Sequence, residues 1–377
     1  MPISPKDFLR YLIESKINFF AGVPDSLLKG FCKAIDSEIS EDKHIITANE
    51  GTAIGLAAGY NLATGEIPIV YMQNSGLGNA INPLMSLCDS EVYSIPMLLL
   101  IGWRGEPGST DEPQHVKQGK IQENLLEVTG IPYEIISAED NMYKPKIDSL
   151  ISISREKKIP VALLVSKGTF KIDDYGTNNI DNNLILREEA LSYILKIIDN
   201  KSIIVSNTGK TSRELFELRE KNGQSHQQEF LTVGSMGHCS AIALGIALSK
   251  PKNKVFCLDG DGSMLMHLGG LSMIAKLSPK NFKHILLNNE VHESVGGQET
   301  AAKYLNMSNV AKNLGYKNIY SIDNESELEA KLKSFINDEG PSFFEIKIRP
   351  GSRAELGRPT NTPIKNKDIF TCFLNNI

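Results

Sequence analysis

The sequence predicts an α/β protein of two domains, each a mostly parallel sheet flanked by helices. Three observations lead there. At 377 residues the chain exceeds the size at which one hydrophobic core stops growing, so two domains are expected. Short aliphatic runs alternate with segments of helix length, the rhythm of a parallel sheet covered by helices. That rhythm is broken by a polar stretch near the middle, which reads as a linker.

Taken in order, the first helix is marked by Ser4 as N-cap, Pro5 in the first turn and Asp7 near the positive end of the helix dipole. Apolar Phe8, Leu9, Leu12 and Ile13 give it a face to lay on a sheet. Strands are expected at HIITA (44–48), IPIVYM (67–72), PMLLLI (96–101) and VALLV (161–165). KIDDYGTNNIDNNLIL (171–186) is rich in Asp, Asn and Gly, which favour backbone-bonded turns. It is read as the linker between domains 1–170 and 187–377. The rhythm resumes with REEALSYILKII as a helix, SIIVS as a strand, a helix through Arg213 to Glu220, then the strands KVFCLD, HILLNN and FFEIKI. Neither a short-period repeat nor a low-complexity tract is present, which argues against a solenoid.

Composition excludes several function classes. A hydrophobic fraction of 41% with 30 Gly and 17 Pro is ordinary for a soluble globular chain. A net charge of -5 without a Lys/Arg block disfavours nucleic acid. The start, MPISPKDFLRYL, has no cationic head followed by an apolar run, and no apolar stretch approaches the ~20 residues of a membrane span. A cytoplasmic protein without membrane contact is therefore expected. The five cysteines are odd in number, scattered and without a C-x-x-C, so reduced, mostly buried thiols are expected rather than disulfides or a cysteine metal site.

The most specific signal is LDGDGSMLMHLGGLSMIAKLSPKNFKHILLNN. Gly260, Asp261, Gly262 and Ser263 follow an apolar strand, and Asn288 and Asn289 end the next. In a doubly wound sheet both strand ends project from the carboxyl edge, where ligands bind at a topological switch point. Asp261 and Asn289 then offer hard oxygens to Mg²⁺, with a backbone carbonyl just beyond, at Val291, completing the protein's share. The flanking glycines let the backbone approach a diphosphate closely. Either piece alone is more simply a tight turn or a strand end. A dinucleotide site is disfavoured, since no G-x-G-x-x-G opens a helix after the first strand of either half.

This pairing resembles the diphosphate-binding motif of thiamine diphosphate enzymes, which implies two thiamine diphosphate-binding-fold domains and the cofactors thiamine diphosphate and Mg²⁺. The resemblance makes 1–170 the pyrimidine-binding domain and 187–377 the diphosphate-binding domain. ANEGTAIGLAAGY matches the family's E-x-x-A-x-x-x-A-x-G-Y through Glu50, Ala53, Ala57, Gly59 and Tyr60. It implies that Glu50 bonds the pyrimidine nitrogen N1′ and promotes loss of the thiazolium C2 proton; the bland alternative is a glutamate favoured by the helix dipole. The small residues at helical spacing would permit close helix packing. LTVGSMGHCSAIALGIAL places Gly234, Met236 and Gly237 in the segment that grips the pyrimidine, Met236 as an apolar wedge and Gly234 through its carbonyl. A lone Met in such a loop is otherwise core filler. The family shares its site between chains, so a homodimer or a dimer of dimers is implied.

The chain has no middle domain, and FFAGVPDSLLK, GWRGEPGSTDEPQH, NNEVHESVGGQ and RPGSRAELGRP resemble the phosphonopyruvate decarboxylases, with the sulfopyruvate decarboxylases close to them. The resemblance implies decarboxylation of 3-phosphonopyruvate to phosphonoacetaldehyde and CO₂ in phosphonate (2-aminoethylphosphonate) biosynthesis. Sulfopyruvate as substrate, an acetolactate-type carboligase and a non-catalytic cofactor-binding subunit are the rivals. Asp25 stands where related decarboxylases put an active-site acid, or it is simply a helix N-cap. His115 is the candidate proton relay. His292 and Ser294 are candidates for bonding the substrate, with Gly296 and Gly297 letting their loop move. Arg104, Arg353 and Arg358 are candidates for the anion, since guanidinium forks fit tetrahedral oxyanions.

Overall fold

The computed structural model describes residues 1–140, 142–172 and 183–377. Of the expected linker 171–186, residues 173–182 lie outside the described residues. The chain divides into two compact units, Met1–Thr177 with Val295–Gln298, and Asn178–Ser294 with Glu299–Ile377.

The first unit holds strands β1 (Phe20–Gly22), β2 (His44–Ile46), β3 (Ile69–Gln73), β4 (Met97–Gly102), β5 (Tyr133–Ile136) and β6 (Pro160–Val165), in the order β2-β1-β3-β4-β6-β5. Every pairing is parallel. A parallel sheet is covered on both faces, so its strands are apolar throughout, and β4 shows the division of labour. Leu98 and Leu100 join the core built around Phe8, Phe31 and Tyr71, while Met97, Leu99 and Ile101 join the core under the helix Glu50–Thr64. The helix Pro5–Glu14 begins as its sequence demands: the Ser4 hydroxyl accepts from the Asp7 N–H and Pro5 fills the first position. Phe8, Leu9 and Leu12 are buried, whereas Ile13 is 40% exposed and lies off the apolar face.

The second unit repeats the plan with β7 (Ile203–Ser206), β8 (Glu229–Leu231), β9 (Val255–Gly260), β10 (Phe282–Asn288), β11 (Asn318–Ile322) and β12 (Ser342–Lys347), ordered β11-β12-β10-β9-β7-β8. These pairings are also all parallel. The chain runs outward from β7 to β8, then returns to lay β9 on the other side of β7. The switch point of this sheet therefore falls between β7 and β9, and the glycine closing β9 is Gly260. The short strands β5, β8 and β11 were not anticipated, because each is brief and carries polar or half-buried residues such as Glu134, Glu229 and Tyr320.

Four cysteines are buried, Cys372 is exposed and all five are unpaired. Among the described residues, no helix is long and apolar enough to cross a membrane.

The edge strand β8 is tethered by charge. The His226 ring stacks on Phe216 with centroids 4.0 Å apart. Its Nδ1 faces Glu229 Oε1 at 2.6 Å and its Nε2 faces Glu220 Oε1 at 2.7 Å, while Arg219 pairs with Glu229. Two carboxylates require two N–H donors, so the ring is held as an imidazolium. Burial opposes that charge, but the two carboxylates outweigh it and raise the His226 pKa above its usual 6.5. Its contribution to stability is complete below about 6.5 and is lost as pH rises through the raised folded value. The melting temperature of wild type relative to His226→Gln is therefore expected to fall across that window; a pH-independent difference would contradict the assignment.

Candidate active site

In both units the chemistry-bearing residues lie just beyond the carboxyl ends of strands, where an α/β sheet opens its crevice. In the first unit, Asp25 follows β1, Glu50 follows β2, and Arg104 follows β4. In the second, Gly234 and Met236 follow β8, Asp261 follows β9, and Asn289 to Ser294 follow β10.

Asp261 opens a short helix (Asp261–Met266) and is 3% exposed. Thr300 donates its hydroxyl to Asp261 Oδ2, and the backbone N–H groups of Asn289 and Gly262 also donate to the carboxylate. Burial pushes its pKa up to about 6 against these donors. The donors are all neutral, so the buried carboxylate lacks a countercharge, which a cation would supply. Asn289 Oδ1 accepts from the Val291 N–H at 3.2 Å, and the Val291 carbonyl accepts from the Glu293 N–H at 2.9 Å, each oxygen keeping a second lone pair. A carboxylate, an amide oxygen and a peptide carbonyl are the donor set of a hard divalent ion.

Around this set the backbone is bare. A side chain on Gly260 would press on Asn207 Nδ2, which belongs to the loop following β7. One on Gly262 would meet the His292 ring at 3.1 Å and the Met236 methyl at 3.5 Å, so the structure brings Gly262, Met236 and His292 together. The Ser263 hydroxyl accepts from the Gly237 N–H at 3.1 Å, and Thr208 Oγ1 accepts from the Gly234 N–H at 3.0 Å. Both glycines have positive φ, +71° at Gly234 and +91° at Gly237, a conformation that favours glycine. Desolvation pushes the half-buried His292 ring down to about 4, so at neutral pH it is a neutral hydrogen-bonding group. Ser294 is exposed, and a Cβ added to Gly209 would lie 3.6 Å from its hydroxyl.

In the first unit Glu50 is 4% exposed at the start of its helix, capped by Asn49. Asn79 Nδ2 donates to Glu50 Oε2 at 2.8 Å, and any side chain on Gly76 would collide with the carboxyl. Burial raises the Glu50 pKa, only partly offset by Asn79. Of the small residues expected to permit close packing, Ala53 and Ala57 are fully buried in the core, whereas among the described residues a Cβ on Gly59, or on Gly55, meets nothing within 4 Å.

Asp25 is fully buried, and Gly102 has no room for a side chain beside it. Its Oδ2 accepts from the Leu27 N–H at 2.9 Å, and its Oδ1 has no partner among the described residues. Burial pushes it up to about 6 although the Leu27 amide and Arg104 lower it. Arg104 also acts on His115, whose pKa is lowered chiefly by burial and whose Nδ1 is buried with no partner among the described residues. The structure thus gathers Asp25, Arg104 and His115. Arg104 is gripped by Asp111 through Nε at 2.7 Å and through Nη2, and its Nη1 donates to Ser26 at 2.7 Å, so its charge is balanced locally. Arg353 is held by Glu188, Glu217 and Glu355, and Arg358 is exposed.

Sequence reasoning missed Asn79, Thr300, Asn207 and Glu293. The strand-end run Ser206-Asn207-Thr208-Gly209 was a readable signal, since glycine after an apolar strand marks a phosphate-facing loop. Thr300 had none, lying 39 residues from Asp261. Below the site, Cys257, Asp259 and His284 also converge, all buried. His284 Nε2 faces Asp259 Oδ2 at 3.5 Å and Nδ1 lies 2.8 Å from the Tyr316 hydroxyl.

Comparison with known proteins agrees with this geometry. Residues 6–127 match the N-terminal TPP binding domain of thiamine pyrophosphate enzymes and residues 207–346 match the C-terminal one, thiamine pyrophosphate being a synonym of thiamine diphosphate. The chain belongs to the thiamine pyrophosphate-dependent decarboxylases, which makes it a carboxy-lyase. It is 32% identical to a phosphonopyruvate decarboxylase of Streptomyces hygroscopicus, covering 96% of this chain and 91% of that one. It is 31% identical to a phosphonopyruvate decarboxylase of Streptomyces viridochromogenes, over 99% and 95%. A sulfopyruvate decarboxylase of Methanosarcina acetivorans is 28% identical over 93% and 92%.

The raised Asp25 pKa carries a sign. A carboxyl whose folded value lies above its ordinary 3.8 contributes stability below 3.8 that is lost as pH rises through about 6. Replacing Asp25 by Asn removes that loss. The melting temperature of wild type minus Asp25→Asn is expected to fall between pH 3.8 and about 6, by the equivalent of about 3 kcal/mol at ~1.4 kcal/mol per pH unit; a flat difference would show that the carboxyl is not buried as described.

Proposed function

We propose that this chain decarboxylates 3-phosphonopyruvate to phosphonoacetaldehyde and CO₂ with thiamine diphosphate and Mg²⁺, in phosphonate (2-aminoethylphosphonate) biosynthesis. The observation that carries the cofactor assignment is the buried Asp261 carboxylate meeting Asn289 at adjacent strand ends. The substrate assignment is supported by the two Streptomyces relatives, similar over nearly their whole length.

In this reading Asp261, the Asn289 side chain and the Val291 carbonyl hold the ion, and the backbone at Gly260, Gly262 and Ser263 accommodates the diphosphate. Gly234 and Met236 hold the pyrimidine, and Glu50 exchanges a proton with its N1′. Burial favours that role by keeping the Glu50 carboxyl in easy reach of its protonated form. Once bound, the cofactor supplies the carbon that adds to the keto group and the sink for the electrons released with CO₂. Asp25 is the proton donor to the product carbon: its raised pKa of about 6 suits transfer near neutral pH. His115 relays that proton, and the neutral His292 and Ser294 bond the substrate. Arg104, Arg353 and Arg358 are the candidates for binding the phosphonate.

Glu50 lies in one unit and Asp261 in the other, and the helix beginning at Glu50 leaves Gly55, Gly59 and 71% of Leu62 uncovered. We take the site to be shared between chains of a homodimer or dimer of dimers. Sulfopyruvate is the second substrate reading, favoured by the Methanosarcina relative. Comparing kcat/KM for phosphonopyruvate, sulfopyruvate and pyruvate separates these readings; phosphonopyruvate is expected to lead, and preference for either other acid would overturn the assignment.

Glu50→Gln is expected to keep cofactor binding while turnover falls about 100-fold or more. Asp261→Ala is expected to lose Mg²⁺-dependent cofactor uptake. Mixing and reassorting the two inactive variants should restore about a quarter of wild-type activity, because half the dimers then contain one intact shared site out of two. Continued inactivity of well-folded mixtures would place each site within a single chain.

A further inference from the structure

An asparagine side chain can bind a cation through only one of its ends. The oxygen and nitrogen of the amide are nearly equal in shape, so something must decide which end is offered. At Asn289 the fold decides with two contacts of opposite kind. The Val291 N–H donates to Oδ1 at 3.2 Å, and Nδ2 donates to Glu293 Oε2 at 3.0 Å. Turning the amide over would set an oxygen against the Glu293 carboxylate and an N–H against the Val291 N–H, losing both bonds.

Glu293 is suited to this as a pure acceptor. Arg187 Nη1 donates to its Oε2 at 2.9 Å, Lys210 Nζ to its Oε1 at 2.8 Å and the Gly351 N–H to its Oε1 at 3.0 Å. Arg187 is itself fixed by Glu214 through Nε at 2.9 Å and Nη2 at 3.2 Å. With Asn289, four donors occupy the two carboxylate oxygens, so Glu293 has no oxygen left to compete for the ion. These groups come from the helix Arg187–Ile197, the helix Lys210–Lys221, and the segments following β10 and β12, all in the second unit.

We propose that Glu293 is a positioning residue of the divalent-cation site, locking the Asn289 amide with its oxygen available to the ion. This rests on the reading that Asp261 and Asn289 hold that ion. Groups one step behind metal ligands generally change affinity about 10–100-fold when removed.

Glu293→Gln is the sharpest variant because it conserves shape. On one side its new NH₂ would meet Lys210 and the Gly351 N–H, on the other Arg187 and Asn289; of these four donors only Asn289 can turn over to accept, so the NH₂ faces Asn289, which presents its oxygen to Gln. Mg²⁺ affinity, measured by calorimetry as the Mg²⁺ dependence of thiamine diphosphate binding, is expected to weaken about 10–100-fold. In an Asn289→Asp background both ends are oxygens and no lock is needed, so adding Glu293→Gln should change affinity less than about 3-fold. Glu293→Ala, which removes the lock without inserting a donor, should fall between wild type and Glu293→Gln. Unchanged affinity in Glu293→Gln, or an equal loss in both backgrounds, would overturn the proposal while leaving the cation site intact. Absence of Mg²⁺-dependent cofactor binding in wild type would instead remove the site reading itself, and this proposal with it.

Discussion

The carboxylate of Asp261, buried at the tip of β9 among donors that are all neutral, is the constraint on which the second unit's organisation depends. Burying an anion without a countercharge is costly, and the fold does it where two parallel strands end side by side. Register then dictates the rest. Leu287 lies opposite Gly260, so the last residue of β10, Asn288, and the first past it, Asn289, arrive beside Asp261 without any long side chain having to reach. The following turn, from Glu290 at φ +61° to Glu293, brings a backbone carbonyl and a chain of ion pairs to the same edge.

Burial is also the common means by which the carboxyls are tuned. Asp25, Glu50 and Asp261 each sit just past a parallel strand, each is nearly or fully buried, and each has its pKa raised mainly by desolvation. What differs is the company each keeps. Glu50 has one amide donor from Asn79, which leaves it able to give or take a proton. Asp25 shares its surroundings with Arg104 and His115, which suits proton delivery. Asp261 gathers donors to both itself and its neighbours, which suits a resident ion. One physical effect thus suits the three different tasks proposed for them.

Much of this was legible in the sequence because it depends on local rules. Apolar runs gave the central strands, the Ser4-Pro5 pair gave the first helix, and the spacing between Gly260-Asp261-Gly262 and Asn289 follows from the length of one strand-helix-strand unit. The edge strands β5, β8 and β11 were illegible because Glu134, Glu229 and Tyr320 owe their places to partners distant in sequence. The same holds for Thr300 on Asp261, Asn79 on Glu50 and the carboxylates around Arg353: each contact joins segments whose approach no local pattern encodes. Arg104 and Arg353 were chosen for their charge, and the structure shows what charge alone conceals, that acidic side chains of the same unit already hold them.

The most direct test is calorimetric titration of thiamine diphosphate into the wild-type protein, once with excess Mg²⁺ and once with the divalent ions chelated. The expected result is saturable uptake of one cofactor per chain with Mg²⁺ and none detectable without it. Uptake that is indifferent to chelation, or absent under both conditions, would contradict a cation held at Asp261 and Asn289.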